Sequence, residues 1–172
     1  MTEQLNIFGK PLEGLVAARR RVEEGLDAGI ECPCCGQYCK RYNRKLNSGM
    51  AATLCWLVAR YRSTGALWVH VQAVGPRYVV RSNEIGKLVH WALVEQRICE
   101  PGGGASLGGG GAKTSGLWRP TERGEAFVDR RIVVPSHVQL FDNNVHGFST
   151  TTVLIDDALG ERFSYTELMA AS

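Results

Sequence analysis

Apolar residues recur at helical spacing in two central segments of the chain. In residues 48–62 and again in 82–96 they stand three or four positions apart, which predicts one buried face on each helix. The first face consists of Met50, Leu54, Leu57, Val58 and Tyr61, and the second of Ile85, Leu88, Val89, Ala92 and Leu93. Ser48 and Ser82 precede these runs and are expected to cap the two helices.

Shorter patterns predict smaller elements on either side. A helix is expected over residues 12–28, and another from Thr121 through Arg130. A hairpin is expected from His137–Phe141 and Val145–Phe148, with its turn at residues 142–144. A strand is expected at Thr152–Ile155, and a capping box at residues 164–167 predicts a short terminal helix.

The segment between the two central helices is rich in β-forming residues. Residues 66–72 favour a strand, and Gly75 and Pro76 then interrupt the chain. No helix is therefore expected between residues 66 and 80. After the second helix, short apolar runs at 97–99 and 117–119 flank a glycine-rich stretch, 101–116, which predicts two strands joined by a long exposed loop.

This order of elements, together with two stretches of sequence, resembles the winged helix-turn-helix family. Lys87-Leu-Val-His-Trp-Ala-Leu-Val-Glu-Gln is similar to the end of a recognition helix that leads into a wing strand. Gly116-Leu-Trp-Arg-Pro-Thr-Glu-Arg-Gly-Glu-Ala-Phe-Val is similar to the second wing strand and its following helix. The resemblance implies an α+β fold with a winged-helix core at 48–131 and a glycine-rich wing at 101–116. An N-terminal helix and cysteine knuckle (1–47) would precede the core, and a β-hairpin with a short helix (132–172) would follow it.

Charge is distributed unevenly along the chain. The net charge is −2 over residues 1–39, +9 over 40–131 and −4 over 132–172. The basic centre is where an anionic partner such as DNA would be attracted. The winged-helix resemblance implies that the helix at 82–96 lies in the major groove, where side chains near its start reach base edges. The candidate DNA-binding residues are Arg77, Arg81, Asn83, Lys87, His90, Lys113, Lys40, Arg41, Arg44 and Lys45.

Four cysteines are concentrated between residues 32 and 39. Cys32-Pro-Cys-Cys35-Gly matches one knuckle of a zinc ribbon, in which two thiolates turn toward one tetrahedral ion and the glycine allows a tight turn. Cys39 is the expected third ligand of a structural zinc ion. The fourth ligand is open between Cys55, Cys99, a distant histidine and a partner chain. Free thiols without metal, and a redox pair, are the alternatives.

No pattern in the sequence indicates catalysis. Gly108–Ser115 departs from the phosphate-binding loop, because Ala112 and Leu107 stand where that motif requires glycine. The four histidines are scattered, and the neighbouring carboxylates of Asp156 and Asp157 are expected to point apart. The chain has no apolar run of membrane-spanning length and no secretory leader, so the cytoplasm is the expected compartment.

A second function class stays open beside DNA binding. The winged-helix scaffold also serves for protein docking, so the chain is alternatively an inhibitor or adaptor that binds a host or viral protein. The cysteine knuckle, the winged helix and the tail Asp157-Ala-Leu-Gly-Glu-Arg-Phe-Ser-Tyr-Thr-Glu-Leu-Met resemble small proteins of bacteriophage and prophage genomes. That resemblance implies a regulator, or a blocker of a host machine, in the host cytoplasm. The helix at 12–28 is a candidate for homodimer formation.

Overall fold

The computed structural model describes residues 14–98 and 114–170, and it mixes helices and strands as an α+β fold does. The helices are α1 (Leu15–Gly25), α2 (Ser48–Thr64), α3 (Val71–Val74), α4 (Arg77–Ser82), α5 (Glu122–Val128), α6 (Ile155–Leu159) and α7 (Tyr165–Ala170), with 3₁₀ helices at Ile85–Trp91 and Gly160–Arg162. The strands are β1 (Ile30–Glu31), β2 (Tyr38–Cys39), β3 (Tyr42–Lys45), β4 (Val69–His70), β5 (Val94–Ile98), β6 (Thr114–Pro120), β7 (Val134–Pro135), β8 (His137–Phe141), β9 (Asn144–Phe148) and β10 (Thr152–Val153). Within these residues no helix combines the length and apolar character needed to cross a bilayer.

The chain divides into two compact units. The first contains the described residues up to Arg44 together with Val138–Phe148, and the second contains Lys45–His137 and Ser149 onward. In the first unit β1 and β2 form a small hairpin, and a separate sheet has the order β3-β8-β9. In the second unit β10 pairs with β7, and a three-stranded antiparallel sheet has the order β4-β6-β5.

Helix α2 forms the centre of the second unit. Every residue from Met50 to Ala59 is buried, because α5, α6, α7 and β6 all pack against this helix. A helix covered on several faces is apolar around most of its circumference. The prediction of a helix here is confirmed, but its cap is Asn47 and not Ser48: the Asn47 side chain accepts a 2.9 Å hydrogen bond from the backbone N–H of Met50.

The expectation that residues 66–80 contain no helix is wrong. Only Val69–His70 is a strand in this stretch, and α3 and α4 follow it directly. The His70 ring caps α3 by accepting a 3.2 Å hydrogen bond from the N–H of Ala73. Pro76 precedes the first residue of α4, a place where proline's fixed φ and missing N–H are tolerated. The β-forming valines of this segment are therefore helical, because tertiary packing outweighs intrinsic propensity.

The predicted helix over 82–96 is also wrong in type and extent. Residues 85–91 are a 3₁₀ helix, and strand β5 begins at Val94. A 3₁₀ helix repeats every three residues, and its buried edge is accordingly Ile85, Leu88 and Trp91. Val89, which was predicted to belong to the buried face, is 46% exposed. The helix ends at Ala92, which adopts a left-handed conformation (φ 55°).

Strands β5 and β6 confirm the predicted hairpin around the glycine-rich stretch. Residues 101–113 of the predicted wing lie outside the described residues, and Thr114–Gly116 belong to β6. Trp118, at the middle of β6, is opposite Val69 on one side and Gln96 on the other. The predicted cap of α5 is confirmed, since Thr121 Oγ1 accepts a 3.0 Å hydrogen bond from the N–H of Gly124.

The C-terminal predictions are confirmed in part. The hairpin at 137–148 is present as β8 and β9, with Asp142 and Asn143 as its two turn residues. The strand predicted over 152–155 stops at Val153, because Ile155 begins helix α6. Ser164 caps α7 as expected, by accepting a 3.4 Å hydrogen bond from the N–H of Glu167.

Candidate functional site

The cysteine segment folds as a tight turn at the end of the β1–β2 hairpin. Ile30 lies opposite Cys39, and beyond the strands the N–H of Cys32 donates to the carbonyl of Gln37 at 2.8 Å. The N–H of Gly36 donates back to the carbonyl of Cys32 at 2.8 Å, and Gly36 has a φ of 72°, which favours glycine. The hairpin thus places Cys32 and Cys35 on one turn.

The sulfur of Cys32 accepts hydrogen bonds from its own turn. The backbone N–H groups of Cys35 and Cys34 both point at it, and these bonds lower the pKa of the Cys32 thiol below its ordinary value. The thiolate therefore forms more readily at Cys32 than at an ordinary cysteine. Thiolates are the species that bind metal and attack electrophiles, so the turn prepares Cys32 for either role.

The thiol of Cys39 lies close to those of Cys32 and Cys35. Burial raises the pKa of Cys39, and the neighbouring Cys32 and Cys35 thiolates and the carboxylate of Asp142 raise it further. Its sulfur donates to the carbonyl of Gln37 at 3.5 Å. In the parts of the chain that the structure describes, no three His, Cys, Asp or Glu side chains are arranged to hold a metal ion. Binding of one ion by Cys32, Cys35 and Cys39 would therefore require these side chains to rearrange.

A cavity of about 420 Å³ opens beside the three thiols. Asp142, at the tip of the β8–β9 hairpin, is part of its lining. The lining residues are Cys32, Cys35, Gln37, Tyr38, Cys39, Lys40, Tyr42, Phe141 and Asp142. Sequence reasoning missed Asp142, because its place beside the cysteines depends on a strand pairing between distant parts of the chain and no local motif signals it.

The structure bears on two of the ligands considered for the fourth position. Cys55 is fully buried inside α2, and burial raises the pKa of its thiol to about 12, so it is held as a neutral thiol in the core of the second unit. Cys99 lies outside the described residues. Of the histidines, His146 belongs to the same unit as the knuckle and packs edge-on against Phe141, with 5.7 Å between ring centroids.

The candidate DNA-binding residues of the second unit are distributed over α4 and the segment that follows it. Arg77 and Arg81 are exposed, and they stand one helical turn apart on α4 with buried Val79 on the opposite side. Asn83 is exposed in a left-handed turn (φ 49°) between α4 and the 3₁₀ helix. Lys113 lies outside the described residues.

Lys87 and His90 occupy half-buried positions on the 3₁₀ helix. The ammonium of Lys87 forms a 2.9 Å ion pair with Glu84, whose side chain is only 16% exposed. Contact between Lys87 and a base edge would therefore require this ion pair to open. Asn83, Lys87 and His90 do not form the single exposed face that a regular α-helix over 82–96 would have given them.

The basic run that follows the knuckle is dispersed by the fold. Lys40 lines the cysteine cavity, and Arg41 forms a 2.8 Å ion pair with Asp27. Arg44 is half-buried in β3, whereas Lys45 is exposed at the end of that strand. These four residues therefore do not share one solvent-facing basic surface.

Ion pairs also engage much of the positive charge of the second unit. Arg62 bonds to both Glu125 and Asp129, and Arg119 bonds to Glu95. Arg130 makes a two-point contact with Asp156. Arg77 and Arg81 on α4 differ from these arginines, because both are exposed and neither forms an ion pair with a carboxylate of the described residues.

Comparison of the chain with models of protein families, with curated proteins and with solved structures found no match.

Proposed function

We propose that residues 48–131 form a winged-helix unit that binds DNA. The observation that carries the proposal is the combination of element order and sheet order. A long helix (α2) is followed by a short strand, a helical pair and a two-stranded hairpin, and the first strand joins the hairpin in the order β4-β6-β5. In this proposal α3 and α4 are the helical segment that lies between the first helix of the winged helix and its hairpin.

Phosphate contact is assigned in this proposal to α4. Arg77 and Arg81 project from the same exposed side of the helix, so one stretch of DNA backbone can meet both guanidinium groups. Contacts of this kind fix the position of a protein on a duplex and carry no sequence information. Asn83, at the exposed turn after α4, is the candidate for base contact, because an asparagine amide can bond to adenine at two points.

The test is DNA binding measured as a function of salt. A fluorescent mixed-sequence duplex is titrated with the full chain at several salt concentrations, and the affinity is expected to fall steeply as salt rises. The double variant R77A/R81A is expected to reduce the slope of log affinity against log salt by about two, since each phosphate contact contributes about one. The control R123A/R131A removes the same charge from α5 and the residues after it.

Two outcomes would contradict the DNA proposal at different levels. If the wild-type chain binds no duplex even at low salt, DNA binding itself is wrong. If R77A/R81A and R123A/R131A weaken binding equally, net charge alone explains the attraction, and α4 is not the contact element.

We also propose that Cys32, Cys35 and Cys39 hold a structural zinc ion. The chemistry of the donors supports this: the tight turn brings N–H groups onto the Cys32 sulfur, and the thiol of Cys39 lies near both other sulfurs. Zinc bound here would supply the cross-link that a hairpin of two-residue strands lacks. Elemental analysis of the purified chain tests the proposal, with one zinc per chain expected, loss of zinc in C39S and retention in C34S.

Protein binding without DNA readout is the second candidate function. The observation that favours it is the ion pair between Lys87 and Glu84. Because of this ion pair, the lysine of the predicted recognition helix is less available to contact a base. This candidate predicts a stable complex with a host or viral protein that survives nuclease treatment and is unchanged in R77A/R81A. A complex that dissolves on nuclease treatment would count against it.

A further inference from the structure

The tip of the β8–β9 hairpin forms part of the wall of the cysteine cavity. Cys32, Cys35, Cys39 and Asp142 all line this one cavity of about 420 Å³. Three of them are sulfur donors, and the fourth is a carboxylate. All four residues belong to the first unit, although the β8–β9 hairpin is far from the knuckle along the chain.

The position of Asp142 is fixed by the backbone of its turn. Asp142 and Asn143 both have positive φ values, 48° and 59°, and Phe141 pairs with Asn144 across them. Two successive left-handed residues define the two-residue hairpin turn that matches the twist of its strands. The amide of Asn144 donates a 3.0 Å hydrogen bond to the carbonyl of Asp142 and holds the turn further. Asp142 itself is exposed.

From this geometry we infer that the carboxylate of Asp142 is the fourth ligand of the metal ion held by Cys32, Cys35 and Cys39. The inference rests on the proposed zinc site and completes its coordination. Zinc in structural sites takes four ligands in a tetrahedron, and carboxylate oxygen is among the donors it accepts beside cysteine sulfur. Asp142 lines the same cavity as Cys39 and the other two cysteines, which is the geometric basis of the assignment.

Charge at the cavity is consistent with this ligand set. Three thiolates and one carboxylate around a divalent ion leave a net charge of −2, and the ammonium of Lys40, on the same cavity wall, offsets part of it. The three thiols must lose their protons when the metal binds, so the affinity is expected to rise with pH. Cys34, which is exposed and next to Cys35, is outside the ligand set.

Cobalt(II) provides the direct probe, because it takes the place of zinc in tetrahedral sites and its thiolate charge-transfer band grows with the number of bound sulfurs. The full chain is stripped of metal and titrated with cobalt(II), alone and against a competing chelator. Asp142→Asn keeps a residue that tolerates the left-handed turn and is expected to weaken cobalt binding by about tenfold or more, since even the loss of an outer partner of a metal ligand costs about 10- to 100-fold. Glu24→Gln is the matched control, because it removes one exposed carboxylate of the same unit that does not line the cysteine cavity.

A cysteine at position 142 provides a complementary test, because it adds a sulfur ligand where D142N removes an oxygen ligand. Asp142→Cys is expected to raise the charge-transfer intensity per cobalt by about one third, as the site passes from three thiolates to four. A wild-type chain that binds no cobalt or zinc overturns the metal site and this inference with it. A wild-type chain that binds cobalt through three thiolates, while D142N and E24Q bind alike and D142C adds no intensity, overturns the assignment of Asp142 alone.

Discussion

The hydroxyl of Thr121 donates a 2.7 Å hydrogen bond to the carbonyl oxygen of Ala92. The same hydroxyl oxygen accepts from the N–H of Gly124, and the N–H of Thr121 donates to the carbonyl of Leu93. One threonine therefore caps α5 and also fixes the corner at which the 3₁₀ helix turns into β5. This double role gives a physical reason for the Thr-x-x-Gly stretch from which the winged-helix resemblance was drawn.

Thr121→Val is expected to destabilise the chain by about 1–2 kcal/mol. Valine keeps the shape of threonine but removes the cap acceptor and leaves the Ala92 carbonyl without its donor. Urea unfolding followed by circular dichroism measures the change. Thr121→Ser is the control, because it keeps the hydroxyl; equal midpoints for the two variants would contradict the assigned role.

Gly124→Ala is expected to destabilise by about 1–3 kcal/mol, as overpacking of a buried position does. A methyl group at Gly124 would overlap the carbonyl oxygen of Leu93, which is backbone and cannot rotate away. Gly86→Ala is the matched control, since a methyl there meets only the ring of Trp118 at 3.9 Å. Thermal unfolding should show a lowered midpoint for G124A and a midpoint close to that of the wild type for G86A.

Acid is expected to weaken the second unit through Asp129. Hydrogen bonds from Arg62 hold the pKa of Asp129 below its ordinary value of 3.8, and those from Arg131 act in the same direction against the opposing effect of burial. Because the folded-state pKa is depressed, the stabilisation is complete above the unfolded-state pKa and is lost as pH falls through the folded-state value. Asp129→Asn should flatten the dependence of unfolding free energy on pH below about pH 4.

The measurement compares urea unfolding of wild type, D129N and E161Q at a series of pH values from neutral to strongly acidic. Glu161 is an exposed carboxylate of the same unit, so E161Q controls for the removal of one negative charge. The effect of D129N should be modest, since this ion pair is partly exposed and water screens it. Curves that are parallel for all three proteins would contradict the role given to Asp129.

The metal-free chain is expected to alkylate its cysteines in a defined order. Cys32 should react at a lower pH than Cys39, because the N–H groups of Cys35 and Cys34 stabilise the Cys32 thiolate whereas burial raises the pKa of Cys39. Cys55 should stay unmodified until the fold opens, since it is fully buried and its pKa is raised to about 12. Iodoacetamide labelling followed by peptide mass spectrometry measures the order, with urea-unfolded protein as the reference; early labelling of Cys55 in the folded chain would be the contrary result.

Local sequence predicted the elements whose pattern is carried by their own residues. Helix α2, the β8–β9 hairpin and the cap at Thr121 were predicted because spacing, turn residues and a capping hydroxyl stand side by side in the chain. Val89 was placed in the wrong environment because a period of 3.6 was assumed where the backbone follows a period of three. The helices α3 and α4 were missed since valine-rich segments favour strands until packing against other elements decides otherwise.

The residues of the candidate site also divide into those that local sequence predicted and those that depend on the tertiary fold. Cys32, Cys35 and Cys39 were predicted from their spacing alone, because the knuckle is a local turn. The position of Asp142 depends on the fold of the first unit, in which β8 lies between β3 and β9. The residues next to Asp142 in the sequence therefore could not predict its place beside the cysteines. Lys87 was predicted to contact DNA from its place on a helix, and its ion pair with Glu84 could not be foreseen without the backbone path of the 3₁₀ helix.

Two separate segments of the polypeptide, the residues up to Arg44 and Val138–Phe148, form the first unit. This limits how the protein can be truncated. His137 and Ser149 are hydrogen-bonded to each other through both backbone and side-chain groups, so the segment between them begins and ends at neighbouring positions. Excising residues 138–148 would leave two ends already adjacent and ready for a short splice. Truncation after Arg44, in contrast, would leave β3 without the other two strands of its sheet, β8 and β9. No single cut in the gene separates the two units into complete modules.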